Sequence, residues 1–192
     1  MLTPLLLHIQ KIAHLDLKNT WEEIAVFFDL INIKKKQIIL HQDDKCNDLY
    51  FVIKGCMRSY YIKNNGSEQT IDFAIENWWL TDYTAFEQRT NSAYSFQAVE
   101  HTTIAKITRD NYNLLLDQYP ELEKYFRCIY QRVSAAAQRR ITYHYDFSRE
   151  ELYLHFESNF PWFIQRIPQY LIASYLGFSP EYLSEIKKKR LS

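Results

Sequence analysis

Apolar residues recur at helical spacing over the first 28 positions. Leu6, Ile9, Ile12 and Ala13 fall on one face, and Trp21, Ile24, Ala25 and Phe28 on a second, shorter one. From Ile33 to about Ile107 the period changes. Short β-like runs, at Gln37–Leu40, Leu49–Ile53, Met57–Ile62, Gln69–Ala74, Phe96–Val99 and Thr103–Ile107, are divided by polar turns. Between two of them, Asn64-Asn65-Gly66 predicts a hairpin turn, because Asn and Gly tolerate positive φ. Many short strands at near-regular spacing predict a sandwich or jelly roll.

The helical period returns from Asp110. Over 120–145, Leu122, Tyr125, Phe126, Ile129, Val133, Ala136, Ala137 and Ile141 form one apolar seam about seven turns long. Such a seam is either core against the β-domain or pairs with the same helix of a second copy. Two-fold dimers are common, and Ser134-Ala135-Ala136-Ala137 permits close approach, so the dimer is the favoured reading. Ser148-Arg149-Glu150-Glu151 has the Ser-x-x-Glu form of a capping box and opens a helix near 149–158, which Asn159-Phe160-Pro161 ends.

The last stretch, Ile167 to Arg190, reads as two helices joined by a tight turn. Pro168 suits a first helical turn, Ile172, Ala173 and Leu176 form an apolar stripe, and Gly177 occupies the reversal. Ser179, Pro180 and Glu181 restart a helix as N-cap, first-turn proline and an acid at the positive end of the dipole. Leu183 and Ile186 supply its inner face, and Lys187, Lys188, Lys189 and Arg190 close it. This is the unit that places a recognition helix in a DNA major groove. The same pattern also occurs in ordinary helical domains, with the lysines as a solvated cap.

Composition narrows the class. The 192 residues are 47% apolar and 16% aromatic, so the chain buries a core and is not disordered. With 23 basic and 23 acidic residues, no global field advertises nucleic acid. Residues 1–118 hold 12 basic and 15 acidic side chains, 119–145 hold 5 and 2, and 146–192 hold 6 and 6. That last balance is modest for a DNA-binding module. Cys46, Cys56 and Cys128 are odd in number and scattered, as in a reducing compartment. Leu5-Leu6-Leu7 is too short for a signal peptide, and no apolar run reaches the ~20 residues of a bilayer span. A soluble, cytoplasmic protein with no membrane partner is expected.

The order of elements, with Leu49-Tyr50-Phe51-Val52-Ile53-Lys54-Gly55-Cys56-Met57-Arg58, Asp72-Phe73, Gln97-Ala98-Val99-Glu100 and the terminal helices, resembles the Crp/Fnr family of bacterial transcription regulators. It is closest to an orphan branch, seen in Bacteroidetes-like bacteria, with no assigned ligand. The resemblance implies an α+β fold: a cyclic-nucleotide-binding-like β-roll over 1–118, a long dimerisation helix over 119–145, and a helix-turn-helix domain over 146–192. It implies a homodimer joined through Leu122, Phe126, Ile129, Val133, Ala136 and Ile141. Duplex DNA would be read by Ser179, Glu181, Tyr182, Glu185, Lys187, Lys188, Lys189 and Arg190.

Against the family's cyclic-nucleotide cassette, the Gly aligns with Thr81, the Glu with Asp82, and the Arg-Ser/Thr pair with Ser92 and Ala93. A buried phosphate needs a fixed cation or a ring of donors. Arg89 is the nearby cation, and it would need a rearranged loop. A degenerate pocket that does not bind cyclic AMP is therefore expected, with the effector unknown. Glu185 stands where relatives usually place Arg, and no β-wing is expected from the residues that follow the recognition helix. Three scattered cysteines do not make an iron–sulfur site, no His or Cys is placed for haem, and the six His include no HxH or HxxxH pair. No nucleophile elbow or phosphate loop is present, so catalysis, a metal and a cofactor are not expected. The alternative function is an effector- or protein-interaction module of the same fold that has lost specific DNA binding.

Overall fold

A computed structural model describes residues 2–191, except for the side chains of Arg190 and Leu191; the expected phosphate contact of Arg190 thus lies outside the described side chains. In chain order the elements are α1 (Thr3–Ala13), α2 (Trp21–Ala25), β1 (Asp29–Ile33), β2 (Ile38–Leu40), β3 (Asp48–Lys54), β4 (Cys56–Ile62), β5 (Glu68–Ile75) and β6 (Trp79–Leu80). There follow α3 (Tyr83–Gln88), β7 (Ser95–Ala98), β8 (Thr102–Thr108), α4 (Arg109–Gln118), α5 (Leu122–Asp146), α6 (Arg149–Asn159), α7 (Pro161–Arg166), α8 (Gln169–Leu176) and α9 (Pro180–Leu191).

The chain divides into two compact units. Residues 1–61 and 72–131 form one, and 62–71 with 132–192 the other, so the division falls inside α5 and the tip of the β4–β5 hairpin belongs with the C-terminal helices. In the first unit the strands build two four-stranded sheets, ordered β1-β8-β3-β6 and β2-β7-β4-β5. β3 and β8 pair antiparallel with Leu49 opposite Ile107 and Phe51 opposite Ala105, and β4 pairs antiparallel with β7, Ser59 opposite Phe96. Buried Leu49, Phe51, Met57, Phe96, Ile104 and Ile107 fill the core. Leu49 and Phe51 share one face with Ala105 and Ile107, while Val52 and Ile104 are buried on the opposite face, so β3 is covered on both sides. Between β3 and β4, Gly55 adopts φ +107° at a point where a side chain would strike Thr102 and His101.

Two helices finish this core. Leu5, Ile9, Ile12 and Ala13, at i, i+4, i+7 and i+8 spacing, bury one side of α1. In α5, Leu122, Tyr125, Phe126 and Ile129 are buried, and Tyr125 Oη lies 2.7 Å from both Trp79 Nε1, which donates to it, and His8 Nδ1. The apolar seam of α5 is therefore not uniform. Leu122, Phe126 and Ile129, expected at a dimer interface, are core of their own unit. Beyond them Val133 is half-buried and Ala136, Ala137 and Ile141 are exposed, Ile141 by 56%. The i, i+3, i+4 pattern identifies an apolar face, but it cannot say what covers each half.

In the second unit Ser148 caps α6 through a complete capping box with Glu151. Phe156 packs edge-on to Phe163, with ring centroids 5.7 Å apart, and lies 5.7 Å from Tyr175. Leu171, Ile172, Ala173, Leu176, Leu183 and Ile186 are buried. Pro168 sits at the N-cap of α8 with ψ 134°, not in its first turn; its φ of −54° suits either place, and the extended ψ starts the helix one residue later.

Candidate functional site

The cassette segment of the first unit closes on itself. Asp82 Oδ1 accepts from Ala85 N–H at 3.0 Å, capping α3, while Oδ2 accepts from Ala93 N–H at 3.0 Å. Ser92 Oγ donates to the Tyr94 carbonyl at 2.8 Å and accepts from Tyr94 N–H at 3.1 Å. Thr81 Oγ1 donates to the Asp48 carbonyl at 2.9 Å and lies 3.3 Å from Cys46 Sγ. Burial pushes the Cys46 thiol above its ordinary pKa, so it is held as the neutral thiol. Asp82, Ser92 and Ala93 lie together, Thr81 turns to Cys46 and the Asp48 carbonyl, and the Ser92 hydroxyl and Ala93 N–H already serve the backbone and Asp82.

Arg89 does not join this group. It is the C-cap of α3, with φ 57°, and its guanidinium pairs with Asp110 at 3.6 Å. It lines a cavity of about 350 Å³ with Lys45, Asn47, Thr108, Arg109 and Asp110, in which Arg109 Nη1 is itself paired with Glu87 at 2.9 Å. An i, i+1 reading of the loop could not foresee this. A left-handed residue reverses the chain and sends the side chain toward the start of α4.

Tyr83 and Arg58 were given no role among the site residues expected from the sequence. Tyr83 Oη is buried without a hydrogen-bond partner, its ring meets Tyr130 edge-on at 5.3 Å, and burial raises its pKa. Arg58, 3% exposed, donates through Nε and Nη2 to Gln97 Oε1 and lies 4.2 Å from the Tyr60 ring centroid. A cation inside the apolar run Met57–Ile62 was the available signal. Among the described residues no group of three His, Cys, Asp or Glu side chains gathers to hold a metal ion.

In the second unit α8 and α9 meet across Gly177, whose φ of 77° makes the reversal and whose N–H donates to the Ala173 and Ser174 carbonyls. Ser179 Oγ accepts from Tyr182 N–H at 3.2 Å, capping α9. Leu183 and Ile186 point inward, which turns Glu181, Ser184, Glu185, Lys188 and Lys189 to solvent. Ser184 Oγ donates to the Pro180 carbonyl at 3.0 Å, leaving two carboxylates as the outward chemistry of the first two turns. Lys187 is half-buried. Tyr182 is turned inward: its ring is 5.5 Å from that of Phe178 and 5.8 Å from the Arg149 guanidinium, so it packs within the unit.

Residues 30–119 match the cyclic nucleotide-binding domain family. No curated protein matches the chain by sequence. Among solved structures, the c-di-GMP-responsive global regulator CLP of Xanthomonas campestris is 15% identical, covers 90% of each chain and superposes with a TM-score of 0.72. FixK2 of Bradyrhizobium japonicum is 16% identical over 84% of this chain and 83% of its own, with a TM-score of 0.65. The catabolite activator protein of Thermus thermophilus is 17% identical over 90% and 84%, with a TM-score of 0.55. These are likenesses of fold, and the neighbours are Crp/Fnr-type regulators. Among the described residues no helix is long and apolar enough to cross a membrane.

Proposed function

We propose that this chain is a transcription regulator that binds duplex DNA as a homodimer through α9, and that its β-roll carries a cassette no longer suited to a cyclic nucleotide. The observation that carries the first part is the rotation of α9. Leu183 and Ile186 are buried, so Ser179, Glu181, Glu185, Lys188 and Lys189 stand outward, on a helix preceded by a short helix and a left-handed glycine. That is the arrangement a major-groove reader requires. Lys188 and Lys189, at the C-terminal end, suit phosphates; Glu181, in the first turn, suits a cytosine amino group.

The second chain would meet α5 from Val133 onward, where Ala136, Ala137 and Ile141 are exposed and small side chains allow close approach. The cassette reading is supported by Asp82, which takes the Ala93 N–H, and by Arg89, which pairs with Asp110. The likeness of fold to regulators agrees with this reading.

Selection of duplexes from a random-sequence pool by the full-length protein tests it. An enriched site with two-fold symmetry is expected. If no sequence is enriched, the outward carboxylates Glu181 and Glu185 favour the other reading, a protein-interaction module of the same fold.

A further inference from the structure

β4 and β5 run without a break from the first unit into the second, where their connecting tip, 62–71, belongs. The returning arm is fastened to one residue of α8. Thr70 N–H donates to Ser174 Oγ at 2.8 Å, Ser174 Oγ donates to the Glu68 carbonyl at 3.1 Å, and Gln69 Nε2 donates to the Ser174 carbonyl. Arg140 donates to the Ile71 carbonyl and lies 5.5 Å from the Tyr175 ring centroid. The Ser174 carbonyl also accepts from Gly177 N–H at 3.2 Å. The arm is therefore attached at the turn that sets the direction of α9 relative to α8.

We infer that the Glu68–Ile71 arm is a positioning element for α8 and α9, anchored on Ser174, and that it links strand β5 to the turn between these helices. Ordinary packing would need only matching shape. Here the donor and acceptor of one hydroxyl, and the carbonyl of the same residue, engage three consecutive arm residues. A one-residue slip of β5 would exchange the faces of all three and break the set together. Glu181, Glu185 and Lys188 stay exposed while the attachment is made, so the arm supports the outward face of α9 and does not mask it. The inference rests on the DNA-binding reading only for what α9 does; the link itself can be measured without DNA.

Hydrogen exchange on the full chain tests it, comparing wild type with Ser174→Ala and Ser174→Thr. In wild type the Gln69–Ile71 amides and those of the last turn of α8 should exchange at a common rate, as one opening unit. Ser174→Ala should speed Thr70 exchange about tenfold or more, through loss of two hydrogen bonds. Ser174→Thr, which keeps the hydroxyl, should restore protection. Unequal rates in wild type, or unchanged Thr70 exchange in Ser174→Ala, overturn the link. With a selected duplex bound, wild type should gain protection at Phe73–Ile75, further along β5. Ser174→Ala at saturating duplex should not, while its salt dependence stays that of wild type because every phosphate-binding side chain is kept. Retained strand protection in the variant overturns the positioning role. If wild type selects no duplex, the DNA-binding reading fails, and the exchange comparison still decides the arm.

Discussion

A methyl group on Gly55 would lie 2.5 Å from Thr102 Oγ1 and 2.7 Å from the His101 carbonyl, on a backbone at φ +107°. Gly177 is also left-handed, at φ +77°, but nothing lies within 4 Å of its missing Cβ. The two glycines are required for different reasons. Gly177→Ala should cost only the conformational term, about 1–2 kcal/mol. Gly55→Ala adds backbone overlap to the same term and should destabilise more, as urea denaturation of the two variants would measure. The cassette makes a second prediction at this scale. A charge-assisted hydrogen bond contributes ~1.5–3 kcal/mol, and Ser92 and Ala93 supply no cation for one. Calorimetric titration with cyclic AMP should show no binding tighter than about 1 mM. A micromolar constant would mean that Asp82 releases the Ala93 N–H and a cation turns in. The alignment with a motif singled out Thr81, Asp82, Arg89, Ser92 and Ala93. Their partners were not legible, because Asp82 acts on Ala93 across a loop and Arg89 is diverted by its own backbone conformation.

Long elements with a clear period were legible. Among the short ones α2 and β2 were, because each carries an apolar run of its own, while β6, α3 and α7 were not. The seam over 120–145 foreshadowed α5, and Ser148-Arg149-Glu150-Glu151 foreshadowed the capping box of α6. β6 has two residues, and α3 and α7 six each, too few for a period to register. The capping box has a pH signature. Hydrogen bonds from Ser148 hold the Glu151 carboxyl below its usual pKa. A group depressed in the folded state stabilises fully above its unfolded pKa, about 4.3, and that contribution fades as pH falls through the lower folded value. Glu151→Gln should therefore destabilise α6 at pH 7, and the gap to wild type should close on acidification; thermal melts at neutral and acidic pH would follow it. The two halves of α5 should respond differently to substitution. Leu122 is fully buried, so Leu122→Ala should cost ~2–5 kcal/mol of stability. Ile141→Asp, on the exposed half, should leave folding intact and shift sedimentation toward monomer at micromolar concentration. Were Ile141→Asp to sediment as wild type does, the dimer would not be joined through this half of the helix.

At the scale of the whole molecule, the proposed DNA complex requires a chain of balanced charge, 23 basic against 23 acidic residues, to hold a polyanion. A dimer doubles what one α9 offers and spaces the two helices about one duplex turn, ~34 Å, apart on DNA. In that complex Lys188 and Lys189, both exposed near the C-terminal end of the helix, would meet phosphates. Their replacement by Ala should weaken binding to all sequences alike and lower the salt slope by about one for each phosphate no longer neutralised. Glu181 should behave differently. Glu181→Ala should relax preference at one base pair by ~1–3 kcal/mol and leave the salt slope unchanged. Glu185 lies one helical turn further along the outward face, where a carboxylate near the duplex meets repulsion that the lysines must offset. Glu185→Arg replaces a negative charge with a positive one at that point. It should raise affinity and steepen the salt dependence, as anisotropy titrations at several salt concentrations would show. An unchanged affinity would place Glu185 away from the backbone. If the lysine substitutions were silent as well, α9 would not be the surface that meets DNA.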